Sequence, residues 1–349
     1  MKSLKEISLP ITEEEYRNDG CMHYSTLATF DRGGFNVLPT LFDRKESPSL
    51  TFGSIVDCLV TGTPEEFEKQ YLVADSSVDG SDVLINVTKS LFNLYKEEYK
   101  RLEDIPQNIL SASLDAVNYG GKNWHTITKI KKLLEVGSEY YRLMFVAKDK
   151  IIISSDSYNK ALACVRALHE SPATKFLFQA DNPFEPEVER LYQLKFKATI
   201  EGIDFSCMAD EILVLHKTKK ILPIDLKTSS HKEYEFFKSF VEWDYQIQGR
   251  NYYRILKANV EKDDYFKDFE ILNWHFVVVN KETLNPLVWE FKDTKTQGTL
   301  TYGKEGQIKM KDPLDIAKEL KYYLDHKPSV PMGILLDKPN DLTQYLNTL

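Results

Sequence analysis

Ile221-Leu222-Pro223-Ile224-Asp225-Leu226-Lys227-Thr228 is a short apolar run that carries an acid and a lysine two positions apart. Side chains on a strand point alternately to opposite faces, so Asp225 and Lys227 project together while Leu226 packs behind them. The run follows two others of strand character, Leu191 to Ile200 and Ile203 to Leu215. The connections Glu201-Gly202 and His216-Lys217-Thr218-Lys219-Lys220 are both turn-like. A meander with those turns brings Asp210, on the second strand, beside Asp225 on the third. The pattern predicts a metal-binding carboxylate pair next to an ammonium.

The acid-x-Lys triplet alone decides little, because Asp43-Arg44-Lys45, Glu98-Tyr99-Lys100, Asp293-Thr294-Lys295 and Glu319-Leu320-Lys321 also show it. Glu98 and Glu319 sit in charge-rich, helix-like segments where such pairs decorate a surface. Asp43 and Asp293 lie in polar, loop-like surroundings. Asp225 alone closes an apolar meander.

Downstream, Glu233 to Asn259 has helical periodicity and places Gln248 and Tyr252 four apart on one face. Strands Ile271 to Val279 and Pro286 to Phe291 and a helix from Asp312 to His326 complete this half. Upstream, Tyr24 to Phe30 reads as a short helix capped by Ser25 or Thr26. Phe52 to Val60 reads as a mostly buried helix ending near Gly62, in which Asp57 is an unusual acid that a cap or a buried hydrogen bond would explain. Thr63-Pro64-Glu65-Glu66 starts another helix, Asp75 to Asp82 is a loop, and residues 88 to 103 form an amphipathic helix. Gly120-Gly121-Lys122-Asn123-Trp124-His125 is a turn carrying a cation and an aromatic. It reads as a solvated loop with one anchoring Trp, or as a contact to a phosphate backbone and a base face. Ile151 to Ile153 is a strand, Ser154-Ser155-Asp156 opens a helix to about Glu170, and the segment from Asp181 to Pro186 breaks the pattern before the meander. Strands and helices so interleaved predict a mixed α/β fold. The expected division is a mainly helical part over residues 1–155 and a strand-bearing core over 156–349.

The chain has 349 residues, 42% hydrophobic and 12% aromatic, enough for one large core or two ordinary ones. No run is long enough to span a bilayer and the first residues lack a signal-peptide pattern, so a soluble, cytoplasmic protein with no membrane partner is expected. Cys21, Cys58, Cys164 and Cys207 show no Cys-x-x-Cys spacing, against a zinc ribbon or disulfide framework. A net charge of −8 excludes a broad nucleic-acid-coating surface. Positive charge for DNA must then be local, and Lys217, Lys219, Lys220 and Lys232 are the candidates to flank its path.

The set Glu189 or Glu187, Asp210, Asp225-x-Lys227 and Gln248-x-x-x-Tyr252 resembles the PD-(D/E)xK nuclease superfamily, with the glutamine-tyrosine helix of its RecB-like branch. Gly53-Ser54-Ile55-Val56-Asp57, the Gly121-Lys122-x-Trp124 loop and the Ser155-Asp156-x-Tyr158 helix are similar, in the same order, to phage and prophage exonucleases of the RecE and lambda types. The resemblance runs from about residue 24 to about residue 290. Asp57 stands where the branch has a histidine, and Ala209 where the superfamily name has a proline.

The resemblance implies a restriction-endonuclease-like core, a central mixed sheet flanked by helices, with a helical N-terminal elaboration. It implies a metal-dependent DNA exonuclease that digests one strand from a duplex end for phage-type recombination or repair, as a ring-shaped homo-oligomer working with a single-strand annealing recombinase. In a phage setting the compartment is the bacterial host cytoplasm. Mg²⁺ or Mn²⁺ suits hard carboxylate oxygens. The expected ligands are Asp210, Asp225, the Leu226 carbonyl and Glu189, with Glu187 and Asp57 as further candidates. Lys227 would orient the attacking water. Gln248 and Tyr252 would position the phosphate or strand end, and Ser54, Lys122, Trp124 and Lys232 would contact substrate. Alternatives on the same residues are an endonuclease or a non-catalytic DNA-binding protein.

Overall fold

The structure, a computed structural model, describes residues 1–43, 48–74, 81–180, 182, 184 and 186–327. Two units emerge, one of Met1–Lys45 with Leu168–Leu349, the other of Glu46–Ala167. The opening segment thus belongs with the strand-bearing unit rather than with a helical part ending at residue 155. Long-range backbone pairing is the cause: Leu9 N–H donates to the Lys195 carbonyl and Met22 N–H to the Asp204 carbonyl, each at 2.8 Å.

In chain order, the first segment contains α1 (Glu13–Arg17) and α2 (Tyr24–Gly33). The residue before α2, His23, occupies the cap position, and Thr26 is buried inside the first turn. The second unit contains α3 (Pro48–Thr61), α4 (Pro64–Gln70), β1 (Tyr71–Ala74), α5 (Asp82–Tyr95), α6 (Gln107–Ala116), α7 (Thr126–Ala147), β2 (Ile151–Ser154) and most of α8 (Ser155–Glu170). The first unit resumes with α9 (Lys175–Phe178), β3 (Val188–Ile200), β4 (Ile203–Leu215), β5 (Lys220–Ser229), α10 (Phe236–Glu242), α11 (Tyr245–Val260), β6 (Glu270–Ile271), β7 (Trp274–Asn280), β8 (Pro286–Phe291), β9 (Leu300–Tyr302), β10 (Ile308–Met310) and α12 (Pro313–His326).

Local chemistry accounts for several boundaries. Thr63 accepts the Glu66 N–H while Glu66 takes the Thr63 N–H, a capping box that starts α4 with Pro64 in its first turn. α5 begins at Asp82 under a Ser81 cap and ends at Tyr95, earlier at both ends than the helix expected over 88–103. Most of the loop expected over Asp75 to Asp82, residues 75–80, lies outside the described residues, as do Asp181, Pro183 and Glu185 of the break before the meander. In the second unit Leu84, Leu91, Leu102, Leu133 and Tyr141 form one core. Gly137 lets α7 approach α5, since a Cβ there would sit 2.4 Å from Thr88 Oγ1. β1 and β2 pair in parallel beside this helical core.

The first unit holds a six-stranded sheet of order β3-β4-β5-β7-β8, with β6 also paired to β5. β3, β4 and β5 run antiparallel, β5 and β7 parallel, β7 and β8 antiparallel, so the sheet is mixed. Phe240, Ile247, Ile255 and Leu320 from the helices bury against Ile212, Ile221, Trp274 and Phe276 of the sheet. Burial of each such side chain stabilises by about 1.5–3 kcal/mol. The single helix expected over Glu233 to Asn259 is broken at Asp244, whose φ of 54° turns the chain between α10 and α11. Aspartate tolerates that left-handed conformation better than most residues, and Arg32 Nη1 holds its carboxylate at 2.8 Å. Among the described residues no helix is long and apolar enough to cross a membrane.

Candidate active site

The ladder between β4 and β5 runs from Leu215 opposite Lys220 to Glu211 opposite Ile224, and there it stops. Asp210 and Asp225 are the next positions in that register. Beyond them β4 stays paired with β3 and meets Met22 of the opening segment at Phe205, while β5 continues with β7 as far as Ser229 opposite Asn280. On β3 the residue skipped in the register is Gln193, with a left-handed φ of 52°. The alternation of β4 slips at the same level: Cys207 and Ala209, then Ile212 and Val214, join one core cluster. β4 and β5 part at this level, and the two aspartates flank the opening.

Asp210 accepts the Leu226 N–H at 2.8 Å across this fork. The N–H and C=O of one strand residue leave the same side of the backbone, so the Leu226 carbonyl opens into the fork as well. Asp225 is only 1% exposed. Gln248 Nε2 donates to one of its oxygens, and the Lys227 ammonium pairs with the other. Lys227 Nζ also lies 5.0 Å from the centre of the Tyr245 ring, in reach of a cation–π attraction. The Tyr24 ring is 6.5 Å from that of Tyr245, and its hydroxyl donates to the Trp243 carbonyl at 2.5 Å. Neither tyrosine was among the expected residues. Tyr245 was within reach, since it precedes Gln248 by three positions and shares its helix face. Tyr24 comes from the opening segment, and no local pattern announces it.

Burial pushes the Asp225 carboxyl above its usual range, against the pull of Lys227, Asp210 and Gln248. For Lys227 burial acts to lower the pKa, but the charge of Asp225, with Tyr245 and Asp210, outweighs it and holds the ammonium protonated. Glu211, next to Asp210, pairs with Ile224 and so faces the other side of the sheet. Both its oxygens are buried without a hydrogen-bond partner. Burial pushes its carboxyl up to about 9, with Arg190 pulling the other way.

Among the described residues no three His, Cys, Asp or Glu side chains gather as a metal cage. The fork nevertheless offers two carboxylates and a backbone carbonyl, all hard oxygen donors. Gln248 Oε1, on the residue bonded to Asp225, is a further buried oxygen with no hydrogen-bond partner. Mg²⁺ is commonly held by only one or two carboxylates, with water and substrate phosphate filling the rest of its shell. The donor set fits such an ion.

Within the first unit, other expected residues lie elsewhere. Glu189 pairs with Val214, four positions along β4 from Asp210 and so about 13 Å from it. Its carboxylate accepts from Ser3 Oγ and from the Leu4 N–H, and His216 Nε2 is 3.5 Å away. Glu187 precedes the same strand end, where its carbonyl accepts the His216 N–H. Tyr252 is buried close to Tyr16, with its ring 5.4 Å from that of Trp274. Lys217, Lys219 and Lys220 occupy the closed end of the β4–β5 hairpin, about 17–20 Å from Asp225, whereas Lys232 follows the open end of β5. Ser54 and Asp57 lie on α3, and Lys122 and Trp124 between α6 and α7, all in the second unit.

No protein-family model matches the chain, and no curated protein does. Among solved structures it is similar to a crystal structure described as "Putative exonuclease" from Eubacterium rectale, at 12% identity and a TM-score of 0.38, over 82% of this chain and 79% of that one. A superposition that loose fixes no residue correspondence.

Proposed function

We propose that the chain is a nuclease, a hydrolase of DNA phosphodiester bonds that depends on Mg²⁺ or Mn²⁺. The observation that carries this reading is the fork itself, where Asp210 and Asp225 flank an opening beside Lys227 and Gln248. A divalent ion held there by Asp210, Asp225 and the Leu226 carbonyl would supply an activated water and neutralise charge developing on the phosphate. Lys227, kept cationic by Asp225, directs its ammonium at the attacking water or a phosphate oxygen. Gln248 holds Asp225 in place and offers its free carbonyl oxygen as an acceptor. Tyr245 limits the positions open to Lys227. Glu189 and Tyr252 take no part in this version of the site. Action from duplex ends, assembly into a ring and cooperation with an annealing recombinase are proposed on the resemblance to RecE-type exonucleases.

The test is incubation of end-labelled linear duplex and closed circular DNA with each divalent ion, beside Asp225→Asn and Lys227→Ala. Divalent-dependent shortening of the linear substrate, lost in both variants, is expected. Cleavage of the circle would make the protein an endonuclease. Failure of every ion to support cleavage, or full activity in Asp225→Asn, would remove the reading.

A further inference from the structure

The turn between α6 and α7 lies in the second unit. From Ala116 to Leu134 the chain carries Lys122, Lys129, Lys131 and Lys132 and no acidic residue, in a protein of net charge −8. Two of these lysines are engaged: Lys129 Nζ lies 3.0 Å from Asp115, and Lys132 Nζ 2.7 Å from Glu135. Lys122 and Lys131 are exposed and form no ion pair among the described residues. Between them in sequence stands Trp124, 44% exposed, followed by Ile127 at 79%.

The indole is held in place rather than loosely tethered. Gly120 has a left-handed φ of 69°, and a Cβ there would lie 3.0 Å from Trp124 Cγ, so the ring rests against a backbone that only glycine permits. Tyr119 meets it edge-on at 5.8 Å, and Asn118 and Gly121 are also left-handed, at 51° and 57°. A solvent-facing aromatic fixed in one orientation, flanked in sequence by exposed lysines that form no ion pair among the described residues, matches the two needs of a nucleic-acid strand: a face for a base and charge for its phosphates.

We infer that this turn is a second nucleic-acid contact, which holds an unpaired strand by stacking a base on Trp124 while Lys122 and Lys131 neutralise neighbouring phosphates. The unpaired strand is the occupant because a base inside an intact duplex has both faces covered by its neighbours. The inference rests on the reading that the chain acts on nucleic acid, but its test makes no use of cleavage.

The full chain in chelator is titrated with a short dye-labelled oligothymidylate and with a blunt duplex, over a range of salt. Trp124→Ala should weaken binding of the single strand about ten-fold, within the range for one stacked base, and affect the duplex less; Trp124→Phe should retain most of the affinity. Lys122→Glu and Lys131→Glu, at exposed positions that do not threaten the fold, should each flatten the salt dependence on the single strand by at least about 0.7 in log–log slope. Unchanged binding in all four variants overturns the inference, as does equal loss in Trp124→Ala and Trp124→Phe accompanied by a lower melting temperature. A parent that binds neither nucleic acid at low salt overturns it too, and points to a protein partner for the turn. A parent that cleaves while Trp124→Ala binds normally sinks this inference alone. One that binds through Trp124 yet never cleaves sinks only the nuclease reading.

Discussion

Helix α11 carries Gln248 and Arg250 two residues apart, hence on nearly opposite sides, and the two sides treat buried charge differently. Arg250 is fully buried, yet its guanidinium donates to the Thr296 carbonyl at 3.0 Å, to Gln246 Oε1 at 3.1 Å and to Asp312 at 2.9 Å. Asp312 in turn pairs with Arg254 and accepts the N–H groups of Gly298 and Leu314 at 2.7 and 2.9 Å. On the other side Gln248 reaches Asp225 but leaves its own carbonyl oxygen unpartnered, and Asp225 sits with its pKa raised by burial. A charge that only braces a fold is surrounded until its bonding capacity is filled. On the Asp225 side a neutral acceptor, the Gln248 carbonyl oxygen, is left unfilled.

The contrast is broken most directly by exchanging the properties of the two sides. Asp225→Asn should lower cleavage of end-labelled duplex by about a thousand-fold or more, the scale of losing a principal electrostatic group, with little change in melting temperature. Should the variant cleave at the parent rate, the unfilled side is not a site. Asp312→Ala should show the converse, losing about 3–5 kcal/mol in urea denaturation because two arginines lose their shared partner, while the rate per folded molecule is retained.

A gentler probe is acid. Burial acts to raise the Asp312 pKa, but the Arg254 hydrogen bond and charge and the N–H groups of Leu314 and Gly298 bring it down to about 2. A carboxyl depressed in the folded state contributes stability above its unfolded pKa and loses it as pH falls through the folded value. Stability should therefore drop by about 2 kcal/mol between pH 4 and pH 2, and that slope should flatten in Asp312→Asn. The smallest effect is expected at Glu189, whose partners are a hydroxyl, one N–H and a histidine. Glu189→Gln should cost about 1 kcal/mol or less and leave cleavage untouched. A large loss of cleavage there would return Glu189 to the site.

The meander was legible because its turns are chemically explicit. Glu201 and Gly202 both take positive φ, 47° and 78°, as a two-residue hairpin requires, and the strand register then follows by counting. The same counting across the His216–Lys219 turn, from Leu215 opposite Lys220, is what sets Asp210 level with Asp225. The parting of β4 from β5 at that level was not legible, and neither was the left-handed φ of Gln193 beside it on β3, which its residue type does not advertise. Alternation put Glu189 on the expected face but says nothing about distance along the strand. Helical spacing aligned Tyr252 with Gln248, yet only the folded chain brings Tyr16 from the opening segment close to Tyr252 and buries its hydroxyl.

The division of the chain also orders events in time. Residues up to Lys45 belong with strands that begin at Val188, and the whole of the second unit is inserted between them. At ribosomal speeds of about 5–20 residues per second, Leu9 and Met22 emerge roughly 10–40 seconds before the backbone they will bond to. Through that interval the inserted helices have time to collapse on their own core, while the opening segment has yet to meet the strands it pairs with.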